Sequence, residues 1–150
     1  MIFTRNLSSP EGPVVLHDRS WLVVEMGADR GCVTHISPDG ESKRVIARTG
    51  RPNGLAVDRD GFIWVAESKT PTLLKLSMEG EFEVFLADCH GESFMFPNDL
   101  AFGPDGFLYL TDSGILMEQF LTDGKVREDY VSLPYDGVWK NIHNHQPRNA

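Results

Sequence analysis

RPNGLAVDRDGFIWVAES, residues 51–68, lies over FPNDLAFGPDGFLYLTDS, residues 96–113, without a gap. Pro, Asn, Leu, Ala, Asp, Gly, Phe and Ser recur at the same places in both. A fainter copy, SPEGPVVLHDRSWLVVEM, occupies residues 9–26, and its alignment sets Glu11 under Asn53 and Asn98 at steps of 42 and 45 residues. Self-similarity at a fixed period of this size marks a chain of repeated structural units.

Each unit continues alike, through CVTHISPDGESKRVIA, TLLKLSMEGEFEVFLA and LMEQFLTDGKVREDYVS. Asp-Gly pairs at 39–40, 60–61, 105–106, 123–124 and 136–137 supply residues that tolerate positive φ, as tight hairpins require. FIWVA and FLYL are apolar on both alternating faces, which suits strands sandwiched between neighbouring sheets. SKRV and KVRED alternate with charge, which suits solvent-facing edges. One unit is therefore about four short antiparallel strands, and the chain reads as an all-β protein of about three β-propeller blades starting near 9, 51 and 96. At ~44 residues per blade the chain falls short of a closed ring of four to eight blades. Residues 1–137 are expected to form a partial propeller with two open blade faces through which copies could associate. Residues 138–150, polar and without alternation, are expected to be a divergent, disordered tail. A truncation or a changed reading frame near Gly137 would produce that pattern.

Composition narrows the partners. Acidic residues outnumber basic ones by 22 to 14 with no basic cluster, so a nucleic-acid footprint is missing. Apolar runs are too short to cross a bilayer, and the first dozen residues lack the apolar core of a secretory signal, which predicts a cytoplasmic protein. Cys32 and Cys89 form no metal-type spacing and read as small apolar side chains.

In a propeller the first strand of each blade lines the central channel. Glu11, Asn53 and Asn98 stand at its mouth in three successive blades, so their side-chain oxygens converge. A hard divalent cation needs such oxygens from separate rigid elements, at least one of them anionic. Local turn chemistry competes with that reading for Asn53, which precedes Gly54. Glu67 and Asp112, at strand ends, read as solvated or turn-capping residues. Ser113 has no triad partners in register.

Glu11-Gly12-Pro13, Pro52-Asn53-Gly54-Leu55 and Pro97-Asn98-Asp99-Leu100, in that order and followed by PDGFLYLTDSG, resemble the SMP-30/gluconolactonase/LRE-like family over roughly residues 9–137. The resemblance implies a six-bladed propeller, of which this chain holds the N-terminal half, with one axial calcium or zinc ion and hydrolysis of sugar lactones. It further implies that Glu11 is a metal ligand and that Asn98 contacts the substrate or the metal's outer shell, which makes Glu11 and Asn98 the expected metal residues, and Asn98 together with the repeat-equivalent Asn53 the expected substrate contacts. The general-base Asp that the resemblance implies belongs to later blades, beyond this chain, and Phe96 stands where some members place a substrate-contacting Arg. A non-catalytic binding module similar to NHL repeats and a streptogramin-lyase-like propeller are the alternatives.

Overall fold

The computed structural model describes residues 2–116, 121–122, 125–126 and 138–142. Two complete four-stranded antiparallel sheets come first, each in simple sequential order. β1 (Pro10–Val15), β2 (Trp21–Glu25), β3 (Cys32–Ile36) and β4 (Lys43–Arg48) make blade one. β5 (Pro52–Val57), β6 (Ile63–Glu67), β7 (Thr72–Leu76) and β8 (Phe82–Leu86) make blade two. A two-residue hairpin, β9 (Asp88–Cys89) with β10 (Glu92–Ser93), leads into blade three, which opens with β11 (Pro97–Phe102) and β12 (Leu108–Asp112).

Blade three then departs from its predecessors. Among the described residues β13 (Leu121–Thr122) and β14 (Lys125–Val126), the counterparts of the expected outer strands, pair only with each other. The place beside β12 is taken by β15 (Val138–Ile142), in register from Leu108↔Ile142 to Asp112↔Val138. The sequence reading assigned residues 138–142 to a disordered tail, and here they are a paired strand. Pairing of this kind needs only backbone donors and acceptors opposite a free edge, so polar residues without alternation can supply it. Residues 143–150 of the expected tail lie outside the described residues.

Two apolar clusters bind the blades side by side. Leu22, Val24, Val33 and Ile46 of blade one meet Leu55, Ile63, Val65, Leu74 and Leu76 of blade two. On the other side of blade two, Ala56, Trp64, Ala66 and Leu73 meet Leu100, Leu108 and Leu110. Trp64 anchors this second interface, edge-on to Phe85 at 4.7 Å and to Phe102 at 6.3 Å between ring centroids. The two-sided apolar character of FIWVA has its cause here: successive residues of β6 face different blades.

No blade lies against the far side of blade one among the described residues, yet Val23, Cys32, Thr34 and Ile36 are buried there. Residues 3–8 cover that side as a strap. The Phe3 ring sits 5.7 Å from that of Trp21, Lys43 Nζ donates to the Arg5 carbonyl at 2.7 Å, and Ser8 N–H donates to Glu25 Oε2 at 2.7 Å. The expectation of two open blade faces is therefore corrected at this end.

Candidate functional site

The inner strands run side by side in the order β1, β5, β11, and small residues set their spacing. A Cβ added to Gly54 would come within 2.7 Å of the Asn98 carbonyl and 2.9 Å of Asp99 Cα. One added to Gly12, whose φ is +53°, would meet Leu55 N at 3.2 Å and Gly54 Cα at 3.3 Å. Residue 12 thus abuts residues 54–55, and residue 54 abuts residues 98–99. At Gly54 glycine permits an approach that any side chain would prevent, and at Gly12 a side chain would be tight and its positive φ strained.

In each blade the pairing of the first two strands slips at or next to the repeated position. Regular register breaks between Glu11 and Val14, between Pro52 and Gly54, and between Pro97 and Leu100. A β-bulge of this kind releases a residue from strict alternation and re-aims its side chain. In blade three Thr111 fastens the bulge, its Oγ1 accepting from Asp99 N–H at 2.9 Å and donating to the Asp99 carbonyl at 3.2 Å.

The structure joins two of the three residues singled out from the sequence. Asn53 Nδ2 donates to Asn98 Oδ1 at 3.0 Å and to the Pro97 carbonyl at 3.4 Å, linking blades two and three at their inner edge. Among the described residues Asn98 Oδ1 keeps a second lone pair and Asn53 Oδ1 keeps both. Glu11 is exposed on the neighbouring inner strand, and among the described residues no hydrogen bond or ion pair engages its carboxylate. Phe96 lies under the Arg51 guanidinium, 5.3 Å from it, so a cation reaches this part of the mouth from the preceding blade.

Other chemistry-bearing groups sit elsewhere. Among the described residues no three His, Cys, Asp or Glu side chains gather as a metal cluster. Ser20 Oγ donates to Asp18 at 2.5 Å and lies 2.9 Å from His35 Nε2, but Ser20 is fully buried and its proton faces the carboxylate, the reverse of an activated nucleophile. Burial is the chief reason the Cys32 thiol is pushed up, and the Glu25 carboxylate beside it adds to this, so it stays a thiol.

Glu67 and Asp112 are not solvated, as one of the two sequence readings had it. Both are buried, and with Glu25 they form a set at 42- and 45-residue steps, the same steps as Glu11, Asn53 and Asn98. Sequence reasoning passed over Glu25, although the alignment already sets it under Glu67 and Asp112.

No family model matches the chain. Over 93% of its length the chain is 26% identical to a gluconolactonase from Zymomonas mobilis, of which it spans 41%. Among solved structures it superposes on a gluconolactonase from Xanthomonas campestris with a TM-score of 0.65 at 24% identity, covering 72% of this chain and 36% of that one. A luciferin-regenerating enzyme superposes with a TM-score of 0.62 at 21% identity, covering 93% of this chain and 47% of that one. These two structures establish the propeller fold, and the Zymomonas protein extends the likeness to sequence across all three repeats. The chain is thus similar in sequence to a gluconolactonase over nearly its whole length and shares the β-propeller fold of these solved structures.

Proposed function

We infer that this chain contributes part of the site of a metal-dependent hydrolase of sugar lactones. The observation that carries the reading is the linked Asn53–Asn98 pair on adjacent inner strands, with the unengaged Glu11 carboxylate on the third. Glu11 and Asn98 are the candidate ligands of a calcium or zinc ion, and Asn53 and Asn98 the candidate contacts to substrate. The donors are all oxygen, which suits a hard cation, and they fill less than half of the about six to eight positions that calcium takes. When bound, such an ion polarises a lactone carbonyl and acidifies a water.

The chain's own residues hold and orient. Glu11 supplies the negative charge. The bulges fix Asn53 and Asn98 on rigid strands, where their amides can hydrogen-bond sugar hydroxyls. The proton acceptor expected for hydrolysis belongs by family resemblance to later blades, so lactone turnover by this chain alone should be negligible.

Isothermal titration with calcium and with zinc tests the reading. Binding should weaken about tenfold or more in Glu11→Gln, which keeps the shape and removes the charge. A chain that takes up neither ion would sink the metal site and favour a non-catalytic binding module. Equal affinities in the two proteins would remove Glu11 from it.

A further inference from the structure

We propose that Glu25, Glu67 and Asp112 are positioning residues, one buried carboxylate per blade, that lock the bulges carrying Glu11, Asn53 and Asn98. Their importance for catalysis rests on the proposed lactonase site, but their effect on the geometry of that mouth does not.

Pro10, Pro52 and Pro97 each open a first strand and stand directly across from Glu25, Glu67 and Asp112 in the ladder. Proline has no N–H to give that ladder. The neighbouring backbone donors, half-buried at the strand's start, need another acceptor.

The carboxylates are that acceptor. Glu67 Oε1 receives Arg51 N–H at 2.7 Å and Lys69 N–H at 2.8 Å. Asp112 Oδ1 receives Phe96 N–H at 3.0 Å and Gly114 N–H at 2.8 Å, while its Oδ2 receives Met95 N–H at 2.9 Å. Glu25 Oε2 receives Ser8 N–H at 2.7 Å and the Arg30 guanidinium at 3.2 Å, with Thr34 on its other oxygen at 2.6 Å. In each blade a carboxylate therefore ties down the segment entering the first strand, two or three residues before the side chain that faces the mouth. In blades two and three it also ties the segment leaving the second strand. A carboxylate accepting several N–H groups is a rigid junction, since every bond is charge-assisted.

The two carboxylates nearest the asparagine pair differ in a way that makes the proposal testable. Both oxygens of Asp112 accept N–H donors, so Asp112→Asn must aim its NH2 at one of them. Glu67 Oε2 is buried with no hydrogen-bond partner among the described residues, so Glu67→Gln can keep the accepting oxygen in place and set its NH2 at that second position.

The experiment follows side-chain amide exchange of Asn53 and Asn98 by NMR in the 15N-labelled full chain. In Asp112→Asn the Asn53 NH2 should exchange about tenfold faster, the loss of roughly one net hydrogen bond, while backbone amides of β6 and β12 stay protected. Glu67→Gln should exchange as the wild type does. If Asp112→Asn fails to fold, Glu67→Leu, which removes the acceptor, carries the same comparison against Glu67→Gln. Unchanged exchange in the disruptive variant, or loss spread evenly over the blades, would overturn the proposal. Calcium and zinc titration of the same variants reads the functional arm separately. Wild-type protein that binds neither ion defeats the lactonase reading, and the exchange data still decide the positioning.

Discussion

Arg19 occupies, in blade one, the turn position that Gly61 and Gly106 fill in the other two blades. All three sit at positive φ, +69° for Arg19 against +86° and +80° for the glycines. A left-handed conformation costs a side-chain-bearing residue about 1–2 kcal/mol, while glycine loses about 0.5–1 kcal/mol of chain entropy on folding. Arg19→Gly should therefore stabilise the protein by about 0.5–1 kcal/mol by this difference, read as a raised midpoint in urea at unchanged slope. A lowered midpoint would mean that the Arg19 side chain makes a contact worth more than the strain. The repeat alignment alone exposes this position, because it shows glycine twice where arginine stands once.

At the scale of the strand, the close packing of β1, β5 and β11 depends on Gly54. Its Cα–H side meets the Asn98–Asp99 backbone, which Thr111 holds through both Asp99 backbone groups. Gly54→Ala should cost about 1–3 kcal/mol as an overpacked contact, and should also break the Asn53–Asn98 bond by parting the strands that carry it. Thermal unfolding reads the first effect and the Asn53 amide signal the second. Alanine accepted with neither change would show that these strands have slack. Much at this scale was legible beforehand. Repetition gave the strands, the Asp-Gly turns gave the hairpins, and Pro-Asn-Gly against Pro-Asn-Asp gave two residues that do meet. The bulges were not legible, because a register slip depends on the partner strand. The burial of Glu67 and Asp112 was hidden for a related reason: a carboxylate at a strand end is solvated or enclosed according to which backbone N–H groups the fold brings round it. The exchange of β15 for the expected third strand of blade three depends on competition for one free edge, and no local pattern records it.

For the molecule as a whole, the strap at residues 3–8 decides whether blade one's outer face is available. Trp21, Val23 and Ile36 on that face are the kind of apolar surface that buries against a neighbouring blade, whereas blade three turns Ala101, Tyr109 and Thr111 outward. An exposed apolar sheet face of this kind invites association. Deleting residues 2–7 should therefore lower the thermal midpoint and raise the molar mass measured by light scattering, while the intact chain stays monomeric. Acid should loosen the same strap through Glu25. Burial alone would push that carboxylate up, but hydrogen bonds from Thr34 and Ser8 together with the Arg30 charge outweigh it and hold it below its ordinary range. A depressed folded value means that the stabilisation is full above the ordinary glutamate pKa of about 4.3 and fades as pH falls through the lower, folded value. Proteolysis after Arg5 should accordingly quicken between neutral pH and the acid side of that value. In Glu25→Gln it should start faster and depend less on pH in this window. If the deletion variant keeps both its midpoint and its mass, the strap is a bystander, and the apolar face of blade one is satisfied by its own sheet.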